Sequence, residues 1–254
     1  MADPVLECKG IAKAFGAHKV LKNVDFSVGK GEIVGLLGPN GSGKSTLLNI
    51  ISGFQTLNAG QVLLHGSDIT SLPAHEITGH GLARTFQLPS MPQRMTVRQV
   101  VRAGSRDGSG LAEIFRRNPA CDADVDQLLS EFMLDHVSHL PASSLSGGQK
   151  KLLSIATALR ARPKLLCLDE PTAGVHPQLR TRMVALLKAL NLRGVGILVV
   201  EHDMQFIKEL CSRCVVLDRG EIVASCAPKE LVNNDRVVEA YLGKAAKLQQ
   251  VMTS

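Results

Sequence analysis

Apolar and polar positions alternate along the chain between short runs typical of strands and longer periodic stretches typical of helices. The runs VLECKG, VLKNVDFSV and EIVGLLG predict three early strands, and the stretch STLLNIISGF predicts the first helix. Residues 60–71 predict a hairpin with HGSDI at its turn. A strand, a glycine-rich turn and a helix in succession form the α/β arrangement that binds phosphates.

The pattern changes after about residue 85. Prolines and methionines between positions 89 and 95 predict a loop, and helical patterns continue from there to about Arg162. The continuous apolar runs KLLCLD and GILVVE then predict parallel strands buried on both faces, with a helix over Pro177–Leu192 between them. CVVLDRGEIVAS predicts a hairpin that turns at Arg219 and Gly220. We expect the rest of the chain to be helical with a polar tail.

Composition indicates a globular protein with its own core. The 254 residues are 44% hydrophobic and 20% charged, and a chain of this size buries roughly three quarters of its unfolded surface. Aromatic residues make up only 3% and tryptophan is absent, which argues against a nucleic-acid partner because such proteins stack bases on aromatic rings. No charged-then-apolar leader precedes residue 30, and no apolar run approaches the length of about 20 residues that crosses a bilayer. We expect a cytosolic protein whose membrane role, if it has one, depends on a partner.

The net charge of +6 is concentrated in one region. Seven arginines between positions 84 and 117 face only two acidic residues there, which predicts either an anionic partner or a solvated basic face. Within this region Thr96 and Gln99 predict a capping box that opens a helix. Arg94, Arg98 and Arg102 recur every four residues, so we expect them to share one side of that helix.

The segment GPNGSGKST contains the spacing G-x-x-x-x-G-K-S between a predicted strand and a predicted helix. Its glycines allow backbone N–H groups to converge on phosphates, and the following helix adds its positive end. Lys44 supplies a point charge for the β- and γ-phosphates, and Ser45 offers a hydroxyl to Mg²⁺. The predicted ATP-binding residues of this loop are Gly38, Pro39, Asn40, Gly41, Ser42, Gly43, Lys44, Ser45 and Thr46.

Two adjacent carboxylates, Asp169 and Glu170, end the apolar run LLCLD. Two unit charges about 4 Å apart at an effective dielectric near 20 repel by about 4 kcal/mol. A metal ion and a water proton offset that cost, so beside a P-loop we expect Asp169 to hold Mg²⁺ and Glu170 to orient or deprotonate the attacking water. The alternative is an exposed helix cap before Pro171.

LSGGQ at residues 145–149 opens another helical pattern. Ser146 and Gln149 fit a capping box, yet two glycines in a first turn each cost up to about 1 kcal/mol of helix stability relative to alanine. Bare N–H groups at Gly147 and Gly148 would let an anion approach closely. A second phosphate-ready helix end needs a second nucleotide or a second copy of the chain.

GPNGSGKST, LSGGQ, LLCLDEP and EHD, in this order and spacing, resemble the ATP-binding subunit of an ABC transporter. The resemblance covers nearly the whole chain. It implies an α/β fold with a P-loop NTPase (RecA-like) core, an antiparallel β subdomain and an inserted helical signature subdomain. Residues 1–243 would then form one ATPase domain, with its core at 1–87 and 161–243, a helical subdomain at 88–160 and a tail at 244–254.

The resemblance also implies roles for single residues. Ser146, Gly147, Gly148 and Gln149 of one subunit would close on the ATP held by a second ATPase subunit, in a head-to-tail homodimer or a pair with a paralogue. Gln87 in ARTFQ matches the glutamine that senses Mg²⁺ and the water and joins Ser45 and Asp169 as a metal ligand. His202 in EHD matches the switch histidine on the γ-phosphate. Phe15 matches the aromatic that stacks on adenine, although a core aromatic is the alternative.

Two positions depart from the family pattern. Ala173-Gly174-Val175-His176 stands where many members have Ser-Ala-Leu-Asp, so the usual aspartate contact across the dimer is absent and His176 could replace it. Lys151 stands where arginine often follows the LSGGQ signature of the family, and we expect this difference to have little effect on phosphate chemistry.

Finer motifs, GLARTFQ, AGVHP, EHDM and EAYLG, resemble the ATPases of importers for branched-chain amino acids and their urea or amide relatives. The resemblance implies transmembrane permease subunits and, indirectly, a solute-binding protein as partners, at the cytoplasmic face of the cell membrane. We expect Met91 and Pro92 to cradle a short permease helix. A lipopolysaccharide exporter and a soluble ATPase of iron–sulfur assembly remain the alternatives.

Overall fold

Two β-sheets organise the molecule, whose computed structural model describes residues 4–87, 90–105 and 119–241. The first sheet has four strands in the order β2–β1–β4–β5, and its paired neighbours are antiparallel. Its strands are β1 Pro4–Phe15, β2 His18–Gly29, β4 Ala59–Leu64 and β5 Ser67–Asp68. The predicted hairpin over residues 60–71 is present, with its turn at His65 and Gly66.

The second sheet has six strands in the order β10–β9–β3–β8–β7–β6. All its pairs are parallel except β10 with β9, the predicted hairpin around Arg219. Its strands are β3 Ile33–Leu37, β6 Leu82–Arg84, β7 Leu165–Asp169, β8 Gly196–Val200, β9 Arg213–Asp218 and β10 Glu221–Cys226.

Apolar clusters cover both faces of this sheet, as the continuous apolar runs predicted. Ile197 and Val199 of β8 pack into one cluster, while Leu198 and Val200 pack into the other. Both faces of the sheet are buried under apolar side chains. Polar side chains therefore reach the surface in the loops at the carboxyl ends of β3, β7 and β8.

Helices cover the sheets and fill the middle of the chain. The helix predicted over Pro177–Leu192 has those bounds. The helices are α1 Lys44–Ile51, α2 Ala74–His80, α3 Val97–Ala103, α4 Pro119–Glu131, α5 Gly147–Arg160, α6 Pro177–Leu192 and α7 Met204–Leu210, with 3-10 turns at Asp135–Val137, Ala142–Ser144 and Pro228–Asn233. Residues 235–241 are also helical, and the predicted tail at 244–254 lies outside the described residues.

The predicted basic helix face is wrong in part. The capping box of Thr96 and Gln99 is present, and it makes α3 begin at Val97, so Arg94 lies before the helix. Arg98 binds Asp126 of α4 through two hydrogen bonds, of 2.5 and 2.9 Å.

Arg102 is likewise neutralised inside the protein, since it pairs with Asp122 of α4 at 3.1 Å. Arg106, Arg116 and Arg117 lie outside the described residues. The arginines of α3 thus hold two helices together, where the charge pattern predicted an anionic partner or a solvated face. Within the described ranges, no helix is both long and apolar enough to cross a membrane.

Candidate functional site

The glycine-rich loop runs from the end of β3 to the start of α1. Gly38 has φ 147° and Gly43 has φ 110°, a region that side chains disfavour. A Cβ on Gly38 would lie 2.0 Å from the carbonyl oxygen of Leu217, and one on Gly43 would lie 2.7 Å from Leu21. The Ser42 hydroxyl is buried and has no hydrogen-bond partner among the described residues. The close contacts therefore require glycine at these two positions, and the Ser42 hydroxyl has its hydrogen-bonding capacity left for a ligand.

Lys44 begins α1 and reaches back into the loop. Its ammonium donates hydrogen bonds to the carbonyl oxygens of Gly38 at 2.8 Å and Pro39 at 3.0 Å. Burial lowers the pKa of Lys44, while the charges of Glu170 and Asp169 act in the opposite direction. The two carboxylates at the end of β7 are therefore close enough to act on the charge of Lys44.

A cleft of about 320 Å³ lies against this loop. It brings together parts of the chain that are far apart in sequence: the loop, β2, the turn after β7 and the turn after β8. Its wall is formed by His18, Val20, Asn40, Gly41, Gly43, Lys44, Ser45, Thr46, Glu170, Val200 and His202. The backbone N–H groups of the loop and the positive, N-terminal end of α1 favour an anionic ligand in this cleft.

Glu170 is the residue on which the predicted catalytic groups converge. Its Oε2 accepts a hydrogen bond from Nε2 of Gln87, and its Oε1 lies 3.2 Å from Nε2 of His202. Glu170 has φ 45°, in the left-handed region, and its N–H donates to the carbonyl of Val200 at 2.9 Å. Such a conformation costs a non-glycine residue about 1–3 kcal/mol and is typical of functional sites.

Asp169 contacts a different partner. Its Oδ2 accepts a hydrogen bond from Nη2 of Arg84 at 3.0 Å, and both side chains are largely buried. The residues predicted to hold Mg²⁺ supply a hydroxyl from Ser45, a carboxylate from Asp169 and an amide from Gln87. Oxygen donors of this kind fit Mg²⁺, which keeps several of its own waters in protein sites.

The residues of the LSGGQ signature, 145–149, are not among the described residues that line the cleft. Ser146 caps α5 with Gln149, and both halves of the capping box are present. A Cβ on Gly147 would meet nothing within 4 Å, so the first turn of α5 is open at this point. Their predicted contact with the ATP of a second subunit stays a prediction.

Phe15 also lies outside the cleft wall described above. It pairs with His18 across the β1–β2 turn, and its ring is half exposed with the ammonium of Lys13 at 5.1 Å from the centroid. The ring is therefore near a cleft residue and open to solvent. Stacking on adenine stays a prediction.

His176 and Lys151, the two residues that depart from the family pattern, each form a hydrogen bond within the protein. His176 caps α6, accepting a hydrogen bond from the N–H of Gln178 at 3.4 Å. Lys151 is buried and its ammonium donates to the carbonyl oxygen of Glu170 at 2.5 Å. Burial lowers the pKa of Lys151, and neighbouring carboxylates, Glu201 first, act in the opposite direction. Lys151 thus joins the signature helix to the turn that carries Glu170.

Sequence reasoning missed Glu201. This buried carboxylate accepts hydrogen bonds from the N–H and hydroxyl of Thr172 and from the N–H groups of His202 and Asp203. It therefore fixes the turns after β7 and β8 to each other. The available signal was the single acidic residue that ends the apolar run GILVVE.

Tyr241 was also missed. Its hydroxyl accepts a hydrogen bond from the N–H of Gly38 at 2.8 Å, so helix 235–241 contacts the start of the glycine-rich loop. Burial raises the pKa of Tyr241. Because 203 residues separate the two partners, no local pattern could indicate the contact.

Comparison with known proteins places these features in a family. The ABC transporter family matches residues 21–173, a range that contains the glycine-rich loop, the signature and the paired carboxylates. The chain belongs to this family. As an ABC transporter protein it has the cassette's P-loop NTPase fold, binds ATP and hydrolyses it.

Relatives of two kinds are similar over almost the full length. A probable branched-chain amino acid transport ATP-binding protein LivG of Archaeoglobus fulgidus is 36% identical over 94% of this chain and 95% of its own. The lipopolysaccharide export system ATP-binding protein LptB of Haemophilus influenzae is 34% identical over 96% of this chain and 99% of its own. The ADP conformation of MJ1267, an ATP-binding cassette of an ABC transporter, superposes with a TM-score of 0.84 at 33% identity, covering 95% of this chain and 99% of that one.

Replacing Tyr241 by phenylalanine tests the contact with the glycine-rich loop. We expect Tyr241→Phe to lower the free energy of unfolding by about 1 kcal/mol, because the N–H of Gly38 loses its acceptor. The folded-state pKa of Tyr241 is raised, so the hydroxyl's contribution is present below pH about 10 and is lost as the pH rises through the raised value. Urea denaturation of wild type and variant at pH 8 and pH 11 measures both effects. Equal unfolding free energies at pH 8 would contradict the contact.

Proposed function

We propose that this protein is the ATP-hydrolysing motor subunit of an ABC importer, for branched-chain or other hydrophobic amino acids or for urea or amides. The observation that carries the motor role is the convergence of Gln87 and His202 on the carboxylate of Glu170, which lines the cleft together with Lys44. The importer role is supported by the probable LivG proteins of Archaeoglobus fulgidus and Methanocaldococcus jannaschii, at 36% and 35% identity.

In this proposal the glycine-rich loop binds the phosphates of ATP through its N–H groups and Lys44, with Phe15 against the adenine. Ser45, Asp169 and Gln87 hold Mg²⁺, which neutralises phosphate charge when it is bound. Glu170 orients the attacking water and accepts its proton, and His202 contacts the γ-phosphate. The residues contribute position and charge, which carry most of the catalysis in phosphoryl transfer.

A second ATPase subunit completes each site in this proposal. Ser146, Gly147, Gly148 and Gln149 of one subunit contact the ATP of the other, and closure of the head-to-tail dimer on ATP drives the permease. The open space at Gly147, where α5 begins, supports this, because an anion can approach the backbone there. A dimeric bacterial ABC transporter cassette, MJ0796, is 26% identical with a TM-score of 0.76.

Export of lipopolysaccharide is the second candidate, favoured by the LptB relatives at 32–34% identity. Both candidates locate the chain at the cytoplasmic face of the membrane, bound to permease subunits, and only the importer works with a solute-binding protein. Transport assays with the chain's own membrane partners decide between uptake of an amino acid and export of a lipid.

Glu170→Gln tests the catalytic role of the carboxylate. The amide keeps the size of the side chain but cannot accept the proton, so we expect ATP turnover to fall on the order of 10²-fold or more while ATP binding persists. Light scattering should detect a dimer that accumulates with ATP. Glu209→Gln, which changes an exposed glutamate on α7, is the matched control and should hydrolyse ATP normally. Normal turnover by Glu170→Gln would refute the assignment of this carboxylate.

Lys44→Ala removes the charge that faces the phosphates in this proposal, so we expect it to weaken ATP binding itself.

Met91→Asp tests the permease contact. Met91 is half-buried against the core cluster and Pro92 beside it is exposed, so a charge here alters a surface that an apolar helix could use. We expect transport by the assembled complex to be lost while ATP binding by the isolated chain is unchanged. Leu192→Asp, at a side chain that is 88% exposed on α6, is the control and should transport normally. Unchanged transport by Met91→Asp would reject this surface as the contact.

A further inference from the structure

The guanidinium of Arg84 joins three elements of the core. Arg84 ends β6, and its side chain is only 6% exposed. Nη1 donates to Oδ1 of Asn49 at 2.7 Å and to Oγ of Ser52 at 2.8 Å, and Nη2 donates to Oδ2 of Asp169 at 3.0 Å. Asn49 belongs to α1 and Ser52 caps its end. One planar group therefore ties the helix after the glycine-rich loop to the carboxylate at the end of β7.

The same guanidinium lies against two aromatic rings at the surface. Its Cζ is 4.9 Å from the ring centroid of Phe86 and 5.7 Å from that of Phe54, within cation–π range. The rings meet edge to face with centroids 5.4 Å apart and an interplanar angle of 84°. Phe54 is 57% exposed and Phe86 is 46% exposed. A buried cation thus has polar partners on one side and an exposed aromatic pair on the other.

The aromatic pair has space in which to move. Phe54, Phe86 and Arg84 share the wall of a cavity of about 320 Å³ with Ser52. Arginine suits a connecting role because its fork is rigid and always charged, so a shift of its plane changes hydrogen bonds and ring contacts together. Its Nε has no hydrogen-bond partner among the described residues, so no bond of this atom opposes such a shift.

We propose that Arg84 is a positioning residue that couples Asp169 to the Phe54–Phe86 pair. Binding of ATP with Mg²⁺ at Asp169 shifts the guanidinium and the rings, and displacement of the rings shifts the carboxylate by reciprocity of the coupling. The inference rests on the proposed function only in assigning Asp169 to the metal. It adds a connection between the cleft and the surface that passes through Arg84.

A single introduced indole tests this coupling. The natural chain has no tryptophan, so Phe86→Trp creates the only indole in the protein, in contact with the guanidinium. We expect its fluorescence emission to change when ATP and Mg²⁺ are added. Adding Arg84→Met should abolish the change, and adding Arg84→Lys, which keeps the charge but lacks the planar fork, should reduce it. Equilibrium dialysis with labelled ATP measures binding in each protein, and circular dichroism confirms folding.

Arg98→Met in the Phe86→Trp protein is the matched control, because Arg98 is another ion-paired arginine but binds Asp126 of α4. It should keep the full emission change. A full-amplitude change in a folded Arg84→Met protein, or in the Arg84→Lys protein should Arg84→Met fail to fold, would overturn the coupling. ATP binding with no emission change in the Phe86→Trp protein that retains Arg84 would overturn it as well. Failure of the wild-type protein to bind ATP would instead overturn the proposed function, and the coupling with it.

Discussion

The placement of two adjacent carboxylates, Asp169 and Glu170, at the end of a buried strand is the constraint around which the site is built. The two charges stand at the end of a strand whose other residues are buried, so neither can be solvated as on an open surface. Each carboxylate has its own partners: Asp169 binds Arg84, and Glu170 binds Gln87 and His202. Separate partners on separate elements hold the two carboxylates in place at the end of β7.

Contacts of this turn also extend to distant parts of the protein. Lys151 connects the backbone of Glu170 to the signature helix, and Glu201 fixes the turn to the loop that carries His202. Hydrogen bonds to charged groups contribute about 1.5–3 kcal/mol each, roughly twice the value for neutral pairs, so these links resist independent movement of the loops. A shift of the turn that carries Glu170 therefore acts on α5 and on the loop of His202 together.

The local parts of this arrangement could be predicted from sequence, and the long-range parts could not. Continuous apolar runs predicted the buried parallel strands, and S-x-x-Q and T-x-x-Q spacings predicted both capping boxes, because these signals lie within a few residues. The capping box at Thr96 also explains the error at Arg94, since regular spacing of arginines does not extend a helix past its cap. Arg84 and Tyr241 act across 85 and 203 residues, distances at which pattern carries no information. The charge pattern likewise did not predict that Arg98 and Arg102 form ion pairs with α4, because their acidic partners lie on another helix.

Calorimetric titration of the isolated wild-type chain with ATP tests the central claim most directly, in one buffer with Mg²⁺ and one with a chelator. If the paired carboxylates and the glycine-rich loop form one site for a nucleotide and its ion, ATP binds with one site per chain and tighter affinity in the presence of Mg²⁺. An affinity for ATP that is absent, or that is the same with and without Mg²⁺, would contradict the account.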